Sequence, residues 1–218
     1  MAFDGDHHGF VPTLQDIERA RANVAAIAQL TPLERSKALG EQLLGHDVFL
    51  KCENLQRTGS YKVRGAYIKL LSLTPEERAR GVVAASAGNH AQGVALAART
   101  LGIRATIFMP VGVALPKLQA TRRYGAEVVL DGEDVGQTLA AAGRFADETG
   151  AIFIPPFDDP RIVTGAATIG LEILDQRPDV DTIVVPIGGG GLAAGVAAAV
   201  KQKAQLLGHA IRVVGVQS

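Results

Sequence analysis

The sequence predicts an α/β fold with mostly parallel sheets. From Asp47 onward, short β-branched runs alternate with runs of helical periodicity, which is the pattern of parallel strands joined by helical crossovers. The 218 residues are 47% hydrophobic and 20% charged, an ordinary globular composition with room for one large or two small domains. Three strand-to-helix turns are also unusually rich in small and polar residues. In open parallel sheets, ligands bind at such turns, beyond the carboxyl ends of the strands.

Taken in order, the chain supports that fold element by element. Thr13 precedes Leu14, Ile17, Val24 and Ile27, a helical spacing with Thr13 as N-cap candidate. Thr31-Pro32 ends that helix, because the residue before proline avoids the helical region. Strands are expected at 48–52, 82–86, 104–109, 126–130, 152–154, 182–187 and 211–216. Helices are expected at 63–73, 90–101, 115–124, 134–149, 160–175 and 192–207. Pro160 suits a first helical turn, where its missing N–H costs nothing. Ile183 to Val200 carries no charge and superficially reads as a membrane span, with Gly191 and Gly195 in a G-x-x-x-G pair. Pro186 and four consecutive glycines interrupt it, so a strand, a turn and a helix explain it better.

Charge and cysteine content exclude some functions. Lys+Arg and Asp+Glu are equal at 22 each, so no excess charge points to nucleic acid or a membrane surface. Met1 to Gly9 lacks the basic-then-apolar pattern of a secretory signal. The single cysteine, Cys52, cannot form an internal disulfide, which predicts a reducing, cytoplasmic setting. Cys52 itself reads as a small hydrophobe on a strand.

The chemistry is concentrated in the three turns. The first runs from Glu53 to Ala66 and carries Lys62 between a Gly59-Ser60 turn and an apolar helical run. Packing around a lysine so placed disfavours its charged form, and the free amine can form a Schiff base with an aldehyde. The second is Ser86-Ala87-Gly88-Asn89-His90. Its small residues and the unpaired N–H groups of the next helix fit a carboxylate or phosphate. Asn89 could equally be a cap, and His90 alone an ordinary histidine. The third is Gly188-Gly189-Gly190-Gly191-Leu192. Glycine in regular structure costs about 0.5–1 kcal/mol relative to alanine, so four in a row need a reason. Backbone N–H groups wrapping a phosphate at a helix start supply one, with a flexible turn as the alternative. The run is neither a dinucleotide fingerprint nor a Walker A loop.

An amine, a phosphate cradle and a carboxylate cradle are what a pyridoxal phosphate (PLP) enzyme needs for an amino acid. On these stretches the chain resembles the serine/threonine dehydratase family. Lys51 to Ala66 matches K-x-E-x-L-Q-x-x-G-S-[FY]-K-x-R-G-A, Ser86 to Gly93 matches S-A-G-N-H-A-Q-G, and Pro186 to Leu192 matches P-x-G-G-G-G-L. Ile154 to Pro160, Thr168 to Glu172 and the terminal Gly215 to Ser218 are also similar to the family. The pattern looks closest to the catabolic threonine dehydratases.

The resemblance implies two three-layer αβα domains with mostly parallel sheets, the tryptophan-synthase-β-like PLP fold. Residues 82–152 would form a small mobile domain, and 1–81 with 153–218 a larger PLP-binding one. Family members continue well past a strand like Arg212 to Val216, so a C-terminally truncated, incomplete larger domain is expected, with the metal-site residues beyond Ser218 and no metal site within the chain. Lys62 and Ser86 would be catalytic. Lys62, Tyr61, Asn89, Gly188, Gly189, Gly190, Gly191 and Leu192 would hold the cofactor, and Ser86, Gly88, Asn89 and His90 the substrate carboxylate. Thr58, Gly59 and Gln92 match positions that touch an AMP activator. The implied activity is β-elimination of L-threonine or L-serine to a 2-oxo acid and ammonia, in a homo-oligomer, dimer or tetramer. A serine racemase uses the same three motifs, and a truncated homologue that binds without turnover would keep them too. Gly165-Ala166-Ala167 departs from the family's Gly-Gln-Gly.

Overall fold

A computed structural model describes residues 10–43 and 45–217. Met1–Gly9, Leu44 and Ser218 lie outside the described residues, and with them the reading of the N-terminus and the last residue of the family resemblance. The elements run α1 Leu14–Val24, β1 Leu33–Arg35, α2 Lys37–Gln42, β2 Phe49–Lys51, a 3-10 turn at Glu53–Leu55, α3 Lys62–Leu71, α4 Pro75–Arg80, β3 Val82–Ala85, α5 Asn89–Leu101, β4 Ala105–Met109, α6 Leu115–Arg123, β5 Glu127–Leu130, α7 Val135–Thr149, β6 Ile152–Phe153, α8 Pro160–Gln176, β7 Thr182–Pro186, α9 Gly191–Leu207 and β8 Arg212–Val216.

The central sheet is parallel, in the order β5-β4-β3-β6. Its side chains alternate between two helical layers, as the two-residue period of a strand requires. Val82, Ala84, Ile107 and Met109 face α3, α5 and α6, while Val83 and Phe108 face Ala141 and Ala142 of α7. The chain steps from β3 to β4 to β5 in one direction, then returns to place β6 on the other side of β3. The gap between the ends of β3 and β6 is therefore a topological switch point, where such sheets open a crevice.

A second parallel pair, β7–β8, packs Ile183, Val185 and Val213 against α8 and α9. Its other face leaves Val184 and Val216 exposed. The short antiparallel pair β1–β2 is the exception to parallel pairing.

Glycines set the spacing of three helices. A Cβ added at Gly65 would lie 2.7 Å from Ile162 O, and one at Gly165 would lie 2.6 Å from Arg64 O, so α3 and α8 touch backbone to backbone. On the other side of α8, a Cβ at Gly195 would lie 2.6 Å from Val163 O and one at Gly170 would lie 2.9 Å from Ala199 Cβ. Helix α8 is thus clamped between α3, which begins at Lys62, and α9, which begins at the tetraglycine turn.

Three short elements, β1, α2 and α4, were not expected from periodicity. Each is too short to show a repeat. The local signal for α4 was present, however: Thr74 and Glu77 form a capping box around Pro75. Helix α3 also starts one residue earlier than expected, at Lys62 itself.

Candidate active site

Two of the chemically marked segments leave the sheet at the switch point. The Ser86–Gly88 turn follows β3, and Ile154-Pro155-Pro156-Phe157 follows β6. Lys62 reaches the same place from α3. Its Nζ donates to Pro156 O at 2.7 Å and lies 5.3 Å from the centre of the Tyr61 ring. Helix α5 closes on it from the other side, since a Cβ at Gly93 would lie 3.1 Å from the Lys62 carbonyl carbon. The His90 imidazole is buried and meets Ile154 O at 3.0 Å. A carbonyl can only accept, so Nε2 carries the proton.

The tetraglycine turn joins through the next residue of the same segment. The Phe157 ring covers Gly189 so closely that any Cβ there would collide with it, and a Cβ at Gly191 would lie 2.9 Å from Phe157 O. Tyr61 and Leu192 pack against one apolar cluster. The three turns singled out in the sequence therefore converge, with Lys62's acceptor one residue away from the ring that covers the glycines.

Helix capping separates this region from the rest of the molecule. Thr13, Ser36, Thr74, Asp134 and Asp159 cap α1, α2, α4, α7 and α8 with their side chains. Helices α3, α5 and α9 have no side-chain cap; α6 also lacks one but has Pro116 in its first turn. Gly190 takes the left-handed conformation (φ 86°) that turns the chain into α9. Uncapped first-turn N–H groups and the helix dipole favour an anion there.

Burial tunes the titratable groups. Desolvation lowers the pKa of the half-buried Lys62 amine and raises that of the Tyr61 phenol. Burial drives His90 down to about 4; the Lys62 charge adds to this and the bond to Ile154 opposes it. His90 is therefore neutral at ordinary pH.

The other expected site residues occupy distinct settings. Ser86 Oγ accepts the Gly88 N–H at 3.1 Å, so that donor is already engaged. Asn89 is the exposed first residue of α5. Thr58 is buried, its hydroxyl 3.4 Å from Ser60 O, and Gly59 adopts φ 71° beside it. Gln92 neighbours Gly93 on α5. A cavity of about 270 Å³ borders Gly189–Gly191, but Asp158 and Asp159 line it and Lys62 does not. It is therefore distinct from the space beside the Lys62 amine.

One large buried polar group has no counterpart among the residues the sequence marks for chemistry. Arg64, fully buried two residues after Lys62, bonds Glu53 Oε2 at 2.9 Å and Glu172 Oε1 at 2.6 Å. Lys51 Nζ reaches Glu172 at 2.7 Å, and Thr168 Oγ1 meets Arg64 at 3.2 Å. Burial alone would lower the Arg64 pKa, but the bonds to Glu172 and Glu53 outweigh it and raise it. The available signal was charge inside apolar runs, at Arg64 beside Val63 and at Glu172 within α8.

This arrangement fits an aldehyde-bearing cofactor with an anionic tail: a lysine amine with a lowered pKa, and a glycine turn that leads into an uncapped helix start. The family described as "Pyridoxal-phosphate dependent enzyme" matches residues 25–218. The chain belongs to that family. It is 50% identical over 206 residues to the L-threonine ammonia-lyase of Thermotoga maritima, a match covering 94% of this chain and 50% of the relative. It is 49% identical over 205 residues to the "L-threonine dehydratase catabolic TdcB" of Escherichia coli K12, covering 94% of this chain and 61% of the relative. The chain thus spans about half to three fifths of the length of these curated relatives. The structure of maize serine racemase superposes with a TM-score of 0.88 at 35% identity, covering 94% of this chain and 61% of that one. Within this PLP family, Lys62 could hold the aldehyde, Gly188–Leu192 the phosphate, and the α5 N-terminus a substrate carboxylate. Among the described residues, no helix is long and apolar enough to cross a membrane.

Proposed function

We propose that this chain carries the catalytic core of a PLP-dependent threonine ammonia-lyase, which converts L-threonine to 2-oxobutanoate and ammonia and L-serine to pyruvate and ammonia. The observation that carries the proposal is the Lys62 amine bonded to Pro156 O, on the segment that also meets His90 of α5 and the glycine turn before α9. PLP, when bound, supplies an electron sink for the pair left at the substrate α-carbon.

The chain's own residues do the rest. The Gly188–Leu192 N–H groups and the α9 dipole would hold the phosphate. Tyr61 would pack beside the cofactor ring, and the Asn89 side chain would hydrogen-bond its hydroxyl. The N–H groups of Asn89 and His90 at the start of α5, with the Ser86–Gly88 turn, hold the substrate carboxylate. Ser86 Oγ, already bonded to the Gly88 N–H, shapes that turn. Lys62 Nζ would anchor the cofactor. With the lowered pKa that burial gives it, the same amine would be the base that takes the proton from the substrate α-carbon. Thr58, Gly59 and Gln92 form the contact region for an AMP activator. The working enzyme is a cytoplasmic homo-oligomer, dimer or tetramer.

The test is direct. PLP added to the purified chain should give a visible absorbance band, and L-threonine should then release ammonia. Lys62→Ala should lose both, and ammonia release at the parental rate would reject the assignment. Because a serine racemase superposes so well, the chirality of recovered serine tests the second reading. A band without ammonia release would mark a binding-only homologue.

A further inference from the structure

The segment Ile154–Asp159 is a strap between the two sides of the site. Ile154 N–H still pairs with Val83 O at 2.9 Å, as the last rung of β6 on β3. The next two residues are prolines, which have no N–H to donate, so the ladder cannot continue. Side chains hold the strap instead. His90 Nε2–H donates to Ile154 O, Lys62 Nζ to Pro156 O, and Lys69 Nζ to Asp159 Oδ2 at 2.6 Å. Lys62 and Lys69 are seven residues apart, two helical turns on one face of α3. The strap then lays Phe157 over Gly189.

These three bonds differ in kind. Lys62 must leave Pro156 O whenever its amine does chemistry, so it cannot be what keeps that carbonyl in place. The His90 and Lys69 bonds do not use that amine. Lys69 acts five residues beyond Ile154, through a cap that also binds the Arg161 N–H. His90 acts two residues before Pro156, from the helix whose Gly93 abuts the Lys62 backbone.

We propose that the His90 side chain is a positioning residue: by holding Ile154 O it fixes the strap, so that Pro156 O remains as the seat to which the Lys62 amine returns. This role is separate from any use of the His90 backbone N–H, and it rests on Lys62 being the cofactor anchor. The groups that face the amine are the Tyr61 ring from the turn before α3, the His90 imidazole from α5 and the Pro156 carbonyl from the strap. No carboxylate pairs with Lys62 among the described residues, so its free-amine fraction depends on how well the seat excludes water. A neutral imidazole suits the task, because a second cation here would repel the lysine.

The test reads Lys62 itself, on cofactor-free protein. Competitive trace acetylation across neutral to alkaline pH, followed by mass spectrometry, gives the titration of Lys62 against exposed Lys37 in the same sample. In the parent chain Lys62 should titrate below Lys37. His90→Leu removes the donor; Lys62 should move toward Lys37, and its free-amine fraction at neutral pH should fall several-fold. His90→Gln keeps an N–H donor and should restore the parental profile. A folded His90→Leu with the parental Lys62 profile overturns the proposal. If the leucine variant does not fold, His90→Gln decides: a parental profile supports the role, and a Lys37-like one in a folded protein overturns it. Failure of the ammonia-lyase reading would appear elsewhere, as no visible band when PLP is added to the parent chain.

Discussion

Lys62 and His90 are both bases held below their ordinary pKa by burial, and each costs stability as pH falls, in separate windows. The Lys62 amine has a folded pKa below its ordinary value because it is desolvated. Below that folded pKa the protein carries a buried charge, and the full cost is present; the cost is relieved as pH rises from the folded toward the ordinary lysine value. Lys62→Met should therefore raise the Tm at neutral pH while abolishing turnover, and the gain should fade in alkaline melts. An unchanged Tm at neutral pH would mean the amine is already well solvated. His90 follows the same sign in an acid window. Its folded pKa lies near 4 against an ordinary 6.5, so the unfolded chain takes up a proton that the folded one refuses. Stability should fall by roughly 3 kcal/mol as pH drops through that window. Urea unfolding of the parent and His90→Gln at neutral and acid pH checks this, since the variant should lack that share of the acid loss.

Among the elements, the close approach of α3 and α8 has the most consequence. Gly65 and Gly165 meet where neither tolerates a Cβ, and α3 begins with the reactive lysine. Gly165→Ala should force the helices apart, at a cost of about 1–3 kcal/mol for overpacking, and should weaken PLP binding by shifting Lys62 from the glycine turn. Parental PLP affinity in a destabilised variant would show that the crossing sets stability alone. Arg64→Met tests the same interface electrostatically. It takes the guanidinium from Glu53 and leaves Glu172 with Lys51 alone, and removing one side of a buried pair costs about 3–5 kcal/mol. The long elements were legible because their apolar repeats span several turns, as in α5, α7, α8 and α9. Elements β1, α2 and α4 were not, because three to six residues show no period. Within the site, Lys62 and the glycine turn could be read from local composition. The Arg64 network could not, since Arg64 and Glu172 meet across 108 residues and only the α3–α8 packing brings them together.

The whole molecule joins its parts through shared cores, and this bears on how the proposed small domain would move. We keep residues 82–152 as the mobile unit; its sheet borrows β6 at Ile152–Phe153, right at the boundary. The largest apolar cluster nevertheless crosses into the flanking part. Val63, Ala66 and Leu70 of α3 pack with Ala91, Val94 and Ala98 of α5, on either side of the Thr74–Gly81 connection. Swinging α5 away from α3 would expose that surface to water, at roughly 25 cal/mol per Å². Closure over a substrate should therefore be a small sliding of packed helices, with the largest displacement at the far edge, β5 and α6. Hydrogen exchange by mass spectrometry distinguishes the two motions. Adding L-serine to the PLP-loaded protein should raise protection at residues 86–92 and 188–192 and leave α3 unchanged. Loss of protection along Val63–Leu70 during closure would mean that the α3–α5 contact opens, and the motion would then be a hinge.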